Sequence, residues 1–500
     1  MDRRKFLRTS VAASVAASTP AWADWEDVLY RPTKVESDID AIKLDGSEFT
    51  LKQAEVQELS DALKGKLWLP GSAEYDEART LLEPSFNKKP AFVIQPTGPA
   101  DVSSAVRFAR DNELLTAVKC GGHSASGKSS CNGGMQIDLS RMRGVYVDPI
   151  AKTARVEGGS LLGELDHEAM AHGLVTTAGT VSHTGVGGLT LGGGFGRVAR
   201  RFGLSLDNVL AFDVVTADGE IRRASPEQNP ELYWALRGGG GNFGVVTSFL
   251  FQLHPMQRKM ISGSIVFPFE QAKQVLTYFG EFADAAPDDM HVGMFIGGGP
   301  DDSPPAAGMY FDYSGTDTAY IDRLNAETAK LGNVLANTLA EKDYVAVQRS
   351  GDWDDIRSFS GYMKTGFIGD FDGMLIDDII DNFESVPGRR TSVVTQQAGG
   401  AIGRVANDAT AFAHREAKHN LLSFVSWQNG EDGASHKDYI RSHWDTVKSH
   451  TQGFYSNDLY DQEGDDVSFA YRGNFERLLT IKKQYDPTNL FRLNANIRSA

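Results

Sequence analysis

The segment from residue 179 to residue 194 reads GTVSHTGVGGLTLGGG, and seven of its sixteen residues are glycine. Two shorter segments share this composition, GGHSASG at residues 121–127 and GGGGNFG at residues 238–244. Consecutive glycines allow several backbone N–H groups to converge on the oxygens of one phosphate group. Three such clusters in one region predict an extended ligand that carries phosphate groups.

The residues around these clusters alternate between strand and helix patterns. Residues 92–95 form a short apolar run typical of a strand, and residues 102–109 repeat small apolar side chains at helical spacing behind Asp101, a candidate N-cap. This alternation predicts an α/β region that ends near His254. Beyond it, apolar runs alternate with long polar segments such as residues 316–331, which predicts a helix there and a second region with an antiparallel sheet under helical cover.

The composition limits the classes of partner. The chain has 500 residues, enough for two domains, and a formal net charge of −16. A surface this acidic repels nucleic acid and anionic membranes. We therefore expect neither nucleic acid nor a membrane as a partner.

Residues 1–23 have the features of an export signal. Arg3 and Arg4 form a twin-arginine pair ahead of a weakly apolar stretch at residues 10–17, and residues 21–23 (AWA) fit a small-x-small cleavage site. The apolar stretch is too short to span a bilayer. These features predict export through the twin-arginine translocation machinery to the periplasm or the medium; the alternative is a disordered basic tail.

Two segments match the dinucleotide fingerprint G-x-G-x-x-G/A, at residues 194–199 and 239–244. The fingerprint requires a strand before it and a helix after it, because the pyrophosphate lies at the helix N-terminus. Strand-like residues 245–250 (VVTSFL) follow the second match, and the first match follows another glycine-rich run. The sequence therefore disfavours a nicotinamide cofactor, and an NAD(P)-dependent dehydrogenase is the alternative among enzymes.

Several histidines and both cysteines have more than one possible role. His123 is either bonded to the backbone of its loop, which is the commoner role, or attached to a ligand. Cys120 and Cys131 form either one disulfide or, as the favoured interpretation, two thiols. His167 and His172 are five residues apart and do not share one helix face, so no metal site is predicted.

Six segments taken together resemble one family of flavoproteins. Four of the segments resemble the FAD-binding half of the vanillyl-alcohol oxidase superfamily: residues 118–128 (VKCGGHSASGK), 138–142 (DLSRM), 179–194 and 234–247 (WALRGGGGNFGVVT). Residues 410–415 (TAFAHR) and 485–497 (YDPTNLFRLNANI) resemble its berberine bridge enzyme-like branch, and the whole pattern is similar to bacterial 6-hydroxy-D-nicotine oxidase-type proteins.

The resemblance implies an α+β fold in two main parts. After the signal peptide, residues 24–258 are expected to form an FAD-binding domain of two α/β subdomains. Residues 259–460 are expected to form a substrate-binding domain with an antiparallel sheet and helical cover. Residues 461–500 are expected to return to the FAD-binding domain.

The resemblance also implies that FAD is bound covalently, through one 8α-histidyl link to His123. Many relatives have a second link through a cysteine, but Val181 occupies that position here, and Cys120 and Cys131 lie outside it. The implied cofactor contacts are otherwise Gly121, Gly122, Ser124, Gly127, Gly179, Thr180, His183, Thr184, Gly187, Gly188, Gly192, Gly193, Gly241, Gly244, Val246, Asn494 and Asn496.

The chemistry implied by the resemblance is hydride transfer from a C–H next to oxygen or nitrogen of a small organic substrate to the flavin. Tyr455 best matches the region where relatives have a catalytic tyrosine, with Tyr460 as the second candidate; the alternative is that Tyr455 only packs. Ser423 stands where relatives have glutamine or glutamate, which argues against a carboxylate base. Thr184 is small at a position that controls oxygen access, so we expect an oxidase that reduces O2 to H2O2. The alternatives are a dehydrogenase with another acceptor and a non-catalytic flavin-binding protein.

Overall fold

The computed structural model describes residues 32–298, 304–352, 356–460 and 467–498, so the predicted export signal lies outside the described residues. The strands are β1 (Ile39–Ile42), β2 (Glu48–Leu51), β3 (Lys66–Trp68), β4 (Phe92–Gln95), β5 (Thr116–Lys119), β6 (Met135–Asp138), β7 (Val145–Asp148), β8 (Thr153–Glu157), β9 (Leu174–Val175), β10 (Val209–Val215), β11 (Ile221–Ala224), β12 (Val245–Gln252), β13 (His254–Pro255), β14 (Lys259–Pro268), β15 (Met290–Gly298), β16 (Ala306–Tyr313), β17 (Ala336–Asn337), β18 (Ala340–Asp343), β19 (Phe359–Ile368), β20 (Arg389–Gln397) and β21 (His419–Gln428). The α-helices are α1 (Gln53–Ala62), α2 (Ala73–Arg79), α3 (Pro99–Asp111), α4 (Leu162–Met170), α5 (Val186–Gly192), α6 (Ala199–Phe202), α7 (Pro230–Leu236), α8 (Ala272–Ala285), α9 (Tyr320–Thr328), α10 (Tyr344–Arg349), α11 (Gly373–Asp381), α12 (Ala434–Val447), α13 (Ser468–Tyr471) and α14 (Phe475–Tyr485).

The first half of the chain builds two of the sheets. A four-stranded sheet has the order β3-β4-β6-β5, in which β4 and β5 both run parallel to β6. Helix α3 joins β4 to β5, because parallel strands need a crossover connection. A five-stranded sheet has the order β11-β10-β12-β8-β7, and all its pairs are antiparallel.

The second half builds a larger antiparallel sheet. Its strands are ordered β17-β14-β16-β15-β20-β21-β19, with β18 paired to β14. Helix α8 packs on this sheet through Val275, Leu276, Phe279 and Ala283, which recur at the spacing of one helix face. The predicted fold class, α+β with an antiparallel sheet under helical cover, is confirmed.

Two details of the predicted helices were wrong. Helix α3 begins after Gly98 with Pro99, a residue suited to the first helical position. The carboxylate of Asp101 instead accepts backbone N–H groups from Lys64, Gly65 and Thr97, so it is not the N-cap.

The helix predicted over residues 316–331 begins only at Tyr320, and its last turn, Ala329–Leu331, is a 3-10 helix. Asp317 explains the late start, because its carboxylate accepts the N–H of Ala319 and its carbonyl accepts the N–H of Tyr320. These bonds hold the preceding residues in a turn.

The segment after Gly244 has the structure predicted for it. Strand β12 begins at Val245, directly after the glycine cluster, so the second fingerprint match opens no helix. A pyrophosphate therefore has no helix N-terminus at this position. In the part of the chain that the structure describes, every helix is too short or too polar to cross a bilayer.

Candidate active site

A cavity of about 370 Å³ lies where the three glycine clusters meet strand β20 and the segment after α12. Such a volume is typical of a small-molecule site. The cavity brings together most of the residues predicted from the sequence: Gly121, Gly122, His123, Ser124, Gly179, Thr180, Thr184, Gly187, Gly188, Gly241, Gly244, Val246, Tyr455 and Asn494.

Glycine is required where the clusters at residues 121–127 and 179–194 cross. A Cβ added to Gly121 would lie 2.4 Å from the backbone nitrogen of Gly185, and a Cβ on Gly185 would lie equally close to the nitrogen of Gly121. By contrast, a Cβ on Gly188 would meet nothing within 4 Å. The crossing glycines let two backbones touch, while Gly188 leaves open space beside a cavity-lining backbone.

The cavity wall around Lys128 suits an anionic ligand. Lys128 lines it and donates from Nζ to the carbonyl of Asn494 at 2.7 Å. Burial lowers the pKa of Lys128 to about 8, so the amine is mostly protonated at neutral pH. Among the described residues, the side-chain oxygen of Asn494 is buried without a hydrogen-bond partner, which leaves it available to a donor on a ligand.

Six of the predicted residues do not line the cavity: Gly127, His183, Gly192, Gly193, Asn496 and Tyr460. Gly192 and Gly193 instead make room for the site, since a Cβ on either would collide with the side chain of Asn457 or Tyr455. Tyr460 packs edge-on against Tyr362, with ring centroids 5.9 Å apart. His183 does not line the cavity but contacts the ring of His123.

His123 follows strand β5 and is held by a second histidine. Its Nε2 lies 2.7 Å from Nδ1 of His183, and its Nδ1 lies 3.5 Å from the hydroxyl of Thr184. Burial, and then the proximity of His183, lower the pKa of His123 to about 4. The ring is therefore neutral at physiological pH and has a nitrogen lone pair available for bonding.

Tyr455 is buried in an aromatic cluster, with the Phe195 ring 5.3 Å away. Its hydroxyl oxygen accepts the backbone N–H of Gly194 at 2.7 Å and the side-chain amide of Asn457 at 2.8 Å. Burial and the neighbouring Asp458 raise the pKa of Tyr455, against the effect of these two donors. The group is thus a phenol at neutral pH, and its oxygen is fixed by two donors.

Asp458 is a cavity residue that the sequence analysis missed. It is the only Asp or Glu among the described residues that line the cavity. One carboxylate oxygen accepts the side-chain amide of Asn420 at 3.0 Å, and the same amide nitrogen donates to Gln396. Burial raises the pKa of Asp458 to about 7. The sequence contained a signal that could have identified Asp458, because this acid is only three residues from the predicted catalytic residue Tyr455.

Comparisons with known proteins identify the family. The model of an FAD-binding domain matches residues 90–225, and the model "Berberine and berberine like" matches residues 455–498. An FAD-linked oxidoreductase of Dictyostelium discoideum is 30% identical over 458 residues, which are 89% of this chain and 96% of that protein. The chain belongs to the berberine bridge enzyme-like FAD-linked oxidoreductases. It is therefore an enzyme that binds FAD.

Two further comparisons support membership of the berberine bridge enzyme-like family. (R)-6-hydroxynicotine oxidase of Paenarthrobacter nicotinovorans is 28% identical over 451 residues, covering 87% of this chain and 97% of that protein. A crystal structure of 6-hydroxy-D-nicotine oxidase from Arthrobacter nicotinovorans superposes with a TM-score of 0.80 at 27% identity, covering 87% of this chain and 98% of that one.

The residues fit the FAD of the berberine bridge enzyme-like family. Open space at Gly188, the cationic Lys128 and the unpartnered oxygen of Asn494 suit a dinucleotide with its phosphates. The uncharged His123 and the polar residues Tyr455 and Asp458 line the same cavity. In the described part of the chain, no group of three or more His, Cys, Asp or Glu is arranged to hold a metal ion.

Ser423 does not take part in this site. Strand β21 alternates its side chains between two faces, and Ser423 lies on the opposite face from Asn420. Its hydroxyl contacts Nδ1 of His443 on α12, at 3.2 Å. The absence of an acid at Ser423 therefore does not deprive the cavity of a carboxylate, because Asp458 supplies one.

Both cysteines are free thiols, as the favoured interpretation predicted. Burial raises the pKa of Cys120 to about 11 and that of Cys131 to about 12. Such thiols are poor nucleophiles, because the thiolate is the reactive form.

Proposed function

We propose that this enzyme is an oxidase that removes hydride from a C–H next to oxygen or nitrogen of a small organic substrate and reduces O2 to H2O2. One observation carries the proposal: a single cavity joins the glycine clusters and His123 to Tyr455 and Asp458. A relative named for the oxidation of 6-hydroxynicotine supports a small organic substrate. Small Thr184 lines the cavity beside His123 and supports access of O2.

The proposed cofactor state is FAD attached once, at His123. The ring of His123 is neutral, and its Nδ1 is not used by His183, which supports this atom as the point of attachment. Val181 lines the cavity but has no nucleophilic atom. The high pKa of the Cys120 thiol supports its remaining unmodified, although it also lines the cavity.

Bound FAD supplies the hydride acceptor, and the protein supplies positioning and proton transfer. In the proposed mechanism, the Tyr455 hydroxyl contacts the O–H or N–H of the substrate. Gly194 and Asn457 donate to the Tyr455 oxygen, so its own hydrogen is directed away from both. Asp458 lines the same cavity and is partly ionised at neutral pH, so it takes up the hydroxyl hydrogen of Tyr455 while the Tyr455 oxygen takes up the substrate proton.

The role of Asp458 predicts a pH dependence. Below about pH 7 the carboxyl is protonated and cannot accept a proton, so flavin reduction by substrate is expected to slow as the pH falls through this value. In Asp458→Asn this decrease of the rate at low pH should disappear, because the amide does not titrate. Anaerobic stopped-flow absorbance from pH 5 to pH 9, about two units on either side of this pKa, measures both profiles.

Ser456→Ala is the matched control, because Ser456 also lines the cavity but does not titrate at these pH values. It should show the same decrease of the rate near pH 7 as the wild type. An unchanged decrease in Asp458→Asn would assign the titration to another group and contradict the role given to Asp458.

The oxidase activity is tested with a panel of substrates. Purified enzyme is mixed with alcohols, amines and sugars, and H2O2 is followed with a peroxidase-coupled dye. A substrate that reduces the flavin and releases one H2O2 per turnover supports the proposal. Reduction without reoxidation by O2 would instead indicate a dehydrogenase that uses another acceptor.

We propose in addition that residues 1–23 direct export by the twin-arginine route. This route carries folded proteins, which suits an enzyme that acquires its cofactor before translocation. Replacing Arg3 and Arg4 by lysine should retain the enzyme in the cytoplasm, because the paired arginines are the recognised feature. Immunoblots of periplasmic and cytoplasmic fractions measure the outcome, and an unchanged periplasmic yield would exclude the route.

A further inference from the structure

A chain of three side chains runs from the cavity wall to the second half of the protein. His123 lines the cavity, whereas His183 and Asp352 behind it do not. Nε2 of His123 lies 2.7 Å from Nδ1 of His183, and Nε2 of His183 lies 4.0 Å from a carboxylate oxygen of Asp352. Binding of a ligand in the cavity does not by itself require the outer two residues.

The first contact determines where protons lie. Two ring nitrogens 2.7 Å apart must share one hydrogen, so one nitrogen donates and the other accepts. When Nε2 of His123 is the donor, its Nδ1 keeps a lone pair, and His183 carries its own hydrogen on Nε2, facing Asp352. This arrangement leaves His123 a nucleophile and gives its remaining proton an acceptor.

Asp352 is held firmly in its place. Its two carboxylate oxygens accept the backbone N–H and the hydroxyl of Ser182, the residue next to His183. Gly351 lies so close to the carbonyl of Thr180 that an added Cβ would be 2.6 Å from it. The loop after α10 therefore packs closely against the segment that carries His183, and this packing fixes the position of Asp352.

We propose that His183 acts as the base that activates His123 for its own covalent attachment to FAD, and that the nearby carboxylate of Asp352 stabilises His183 once it is protonated. The inference rests on the proposed link at His123. It assigns His183 and Asp352 to the assembly of the enzyme rather than to its turnover, since neither lines the cavity.

The step balances as follows. His123 Nδ1 forms a bond to the flavin 8α carbon, which gives up one C–H proton, and His123 releases its Nε2 proton to Nδ1 of His183. The two electrons of the broken C–H bond reduce the flavin ring, which takes up the released C–H proton. O2 then reoxidises the ring, and H2O2 forms with this proton and the proton held by His183. Asp352 offsets the positive charge on His183 while the proton is there.

A base is needed because the site disfavours charge. Burial holds the ring of His123 neutral, so an alkylated ring that kept its second proton would be a cation in an environment that penalises it. Transfer of that proton to His183 removes the cation from the cavity wall. Helix α10 precedes Asp352 and is fixed to α4 by bonds from Tyr344 and Gln348 to Asp166, so attachment also requires this helix to be docked.

The test follows covalent loading of the full chain. Wild type, His183→Ala, Asp352→Asn and the control His172→Ala are produced in riboflavin-starved cells and mixed with FAD. Samples are quenched in acid at intervals, and flavin fluorescence of the protein band on a denaturing gel measures attachment. Filtration before the quench measures FAD bound without a covalent link.

His172 is exposed and outside the chain of contacts, so His172→Ala should load at the wild-type rate. His183→Ala should still bind FAD but attach it about 10²–10⁴-fold more slowly, the usual cost of losing a general base. Asp352→Asn should attach FAD about 10–100-fold more slowly, as when the carboxylate beside a functional histidine is lost, because the neutral amide no longer offsets the charge on His183. Added imidazole should accelerate His183→Ala, because it replaces the missing base, and should not accelerate wild type.

A wild-type rate of attachment in either variant, or no response of His183→Ala to imidazole, would overturn the inference. If His183→Ala fails to bind FAD, Asp352→Asn decides the question, since it preserves the size of the side chain. Wild-type protein that never acquires covalent flavin would contradict the proposed link at His123 instead.

Discussion

Tyr455→Phe is expected to slow the reduction of the flavin by substrate about 10²–10⁴-fold, the usual cost of removing one acid-base group. The change keeps the ring and its aromatic neighbours and removes only the hydroxyl. That hydroxyl is the acceptor for the N–H of Gly194 and the amide of Asn457, so it is positioned by two donors. Anaerobic stopped-flow absorbance of the flavin measures the rate directly, separately from reoxidation by O2.

Tyr471→Phe is the matched control for this prediction. Tyr471 also lines the cavity and is buried, and its hydroxyl donates to the carbonyl of Ala495 at 3.5 Å. The control should change the rate less than about threefold, well below the range for a lost acid-base group. The same small change in Tyr455→Phe would make Tyr455 a packing residue and direct attention to Asp458.

Loss of the Tyr455 hydroxyl also has a structural cost. The N–H of Gly194 would be left without its acceptor, at a cost of about 1–3 kcal/mol of folding free energy. Thermal unfolding and the flavin content of Tyr455→Phe therefore need to be measured beside the rate. A slow variant that keeps its flavin and remains folded supports a chemical role.

His123→Ala is expected to abolish covalent attachment completely, because alanine has no atom that can form the link. After acid precipitation, all the flavin of the variant should be in the supernatant, while the flavin of the wild type stays in the pellet. The glycine clusters and Lys128 are unchanged, so the variant should still bind FAD reversibly. Absorbance of the two fractions measures the difference.

Mass spectrometry of wild-type peptides completes this experiment. Flavin should be found on the peptide that contains His123 and on no other, because Val181 lacks a nucleophile and the buried thiols have high pKa values. A second adduct on Cys120 or Cys131 would contradict single attachment. Free flavin in the wild-type supernatant would contradict the covalent link itself.

Much of the fold was predictable because local patterns and close packing constrain the same residues. The apolar positions Val102, Ala105, Val106 and Ala109 predicted helix α3, and all four are buried in it. The strand-like residues after Gly244 excluded a nucleotide-binding helix at that point. These features follow from periodicity and backbone freedom, which are properties of neighbouring residues in the chain.

The site was less predictable, because its polar groups come from distant segments. Asn420 donates to Asp458 across 38 positions of the chain, and no periodicity relates them. The resemblance placed Ser423 where relatives have glutamine or glutamate, but the pleat of the strand directs its side chain to the helix-covered face. Gly192 and Gly193 were assigned to the cofactor, whereas the structure uses their missing side chains to admit Asn457 and Tyr455.

The sequence by itself predicted an extended ligand with phosphate groups, since glycine clusters act through the geometry of neighbouring residues, and its resemblance to a flavoprotein family implied that this ligand is FAD. Only the tertiary structure decided which groups share the cavity and in which protonation state. It placed Asp458 beside Tyr455 in the cavity wall, brought His183 against His123, and brought Asp352 from the second half of the chain to His183. The physical reason is that burial and contact between remote segments set a pKa and a hydrogen-bond partner, and neither is encoded in a residue's neighbours along the chain.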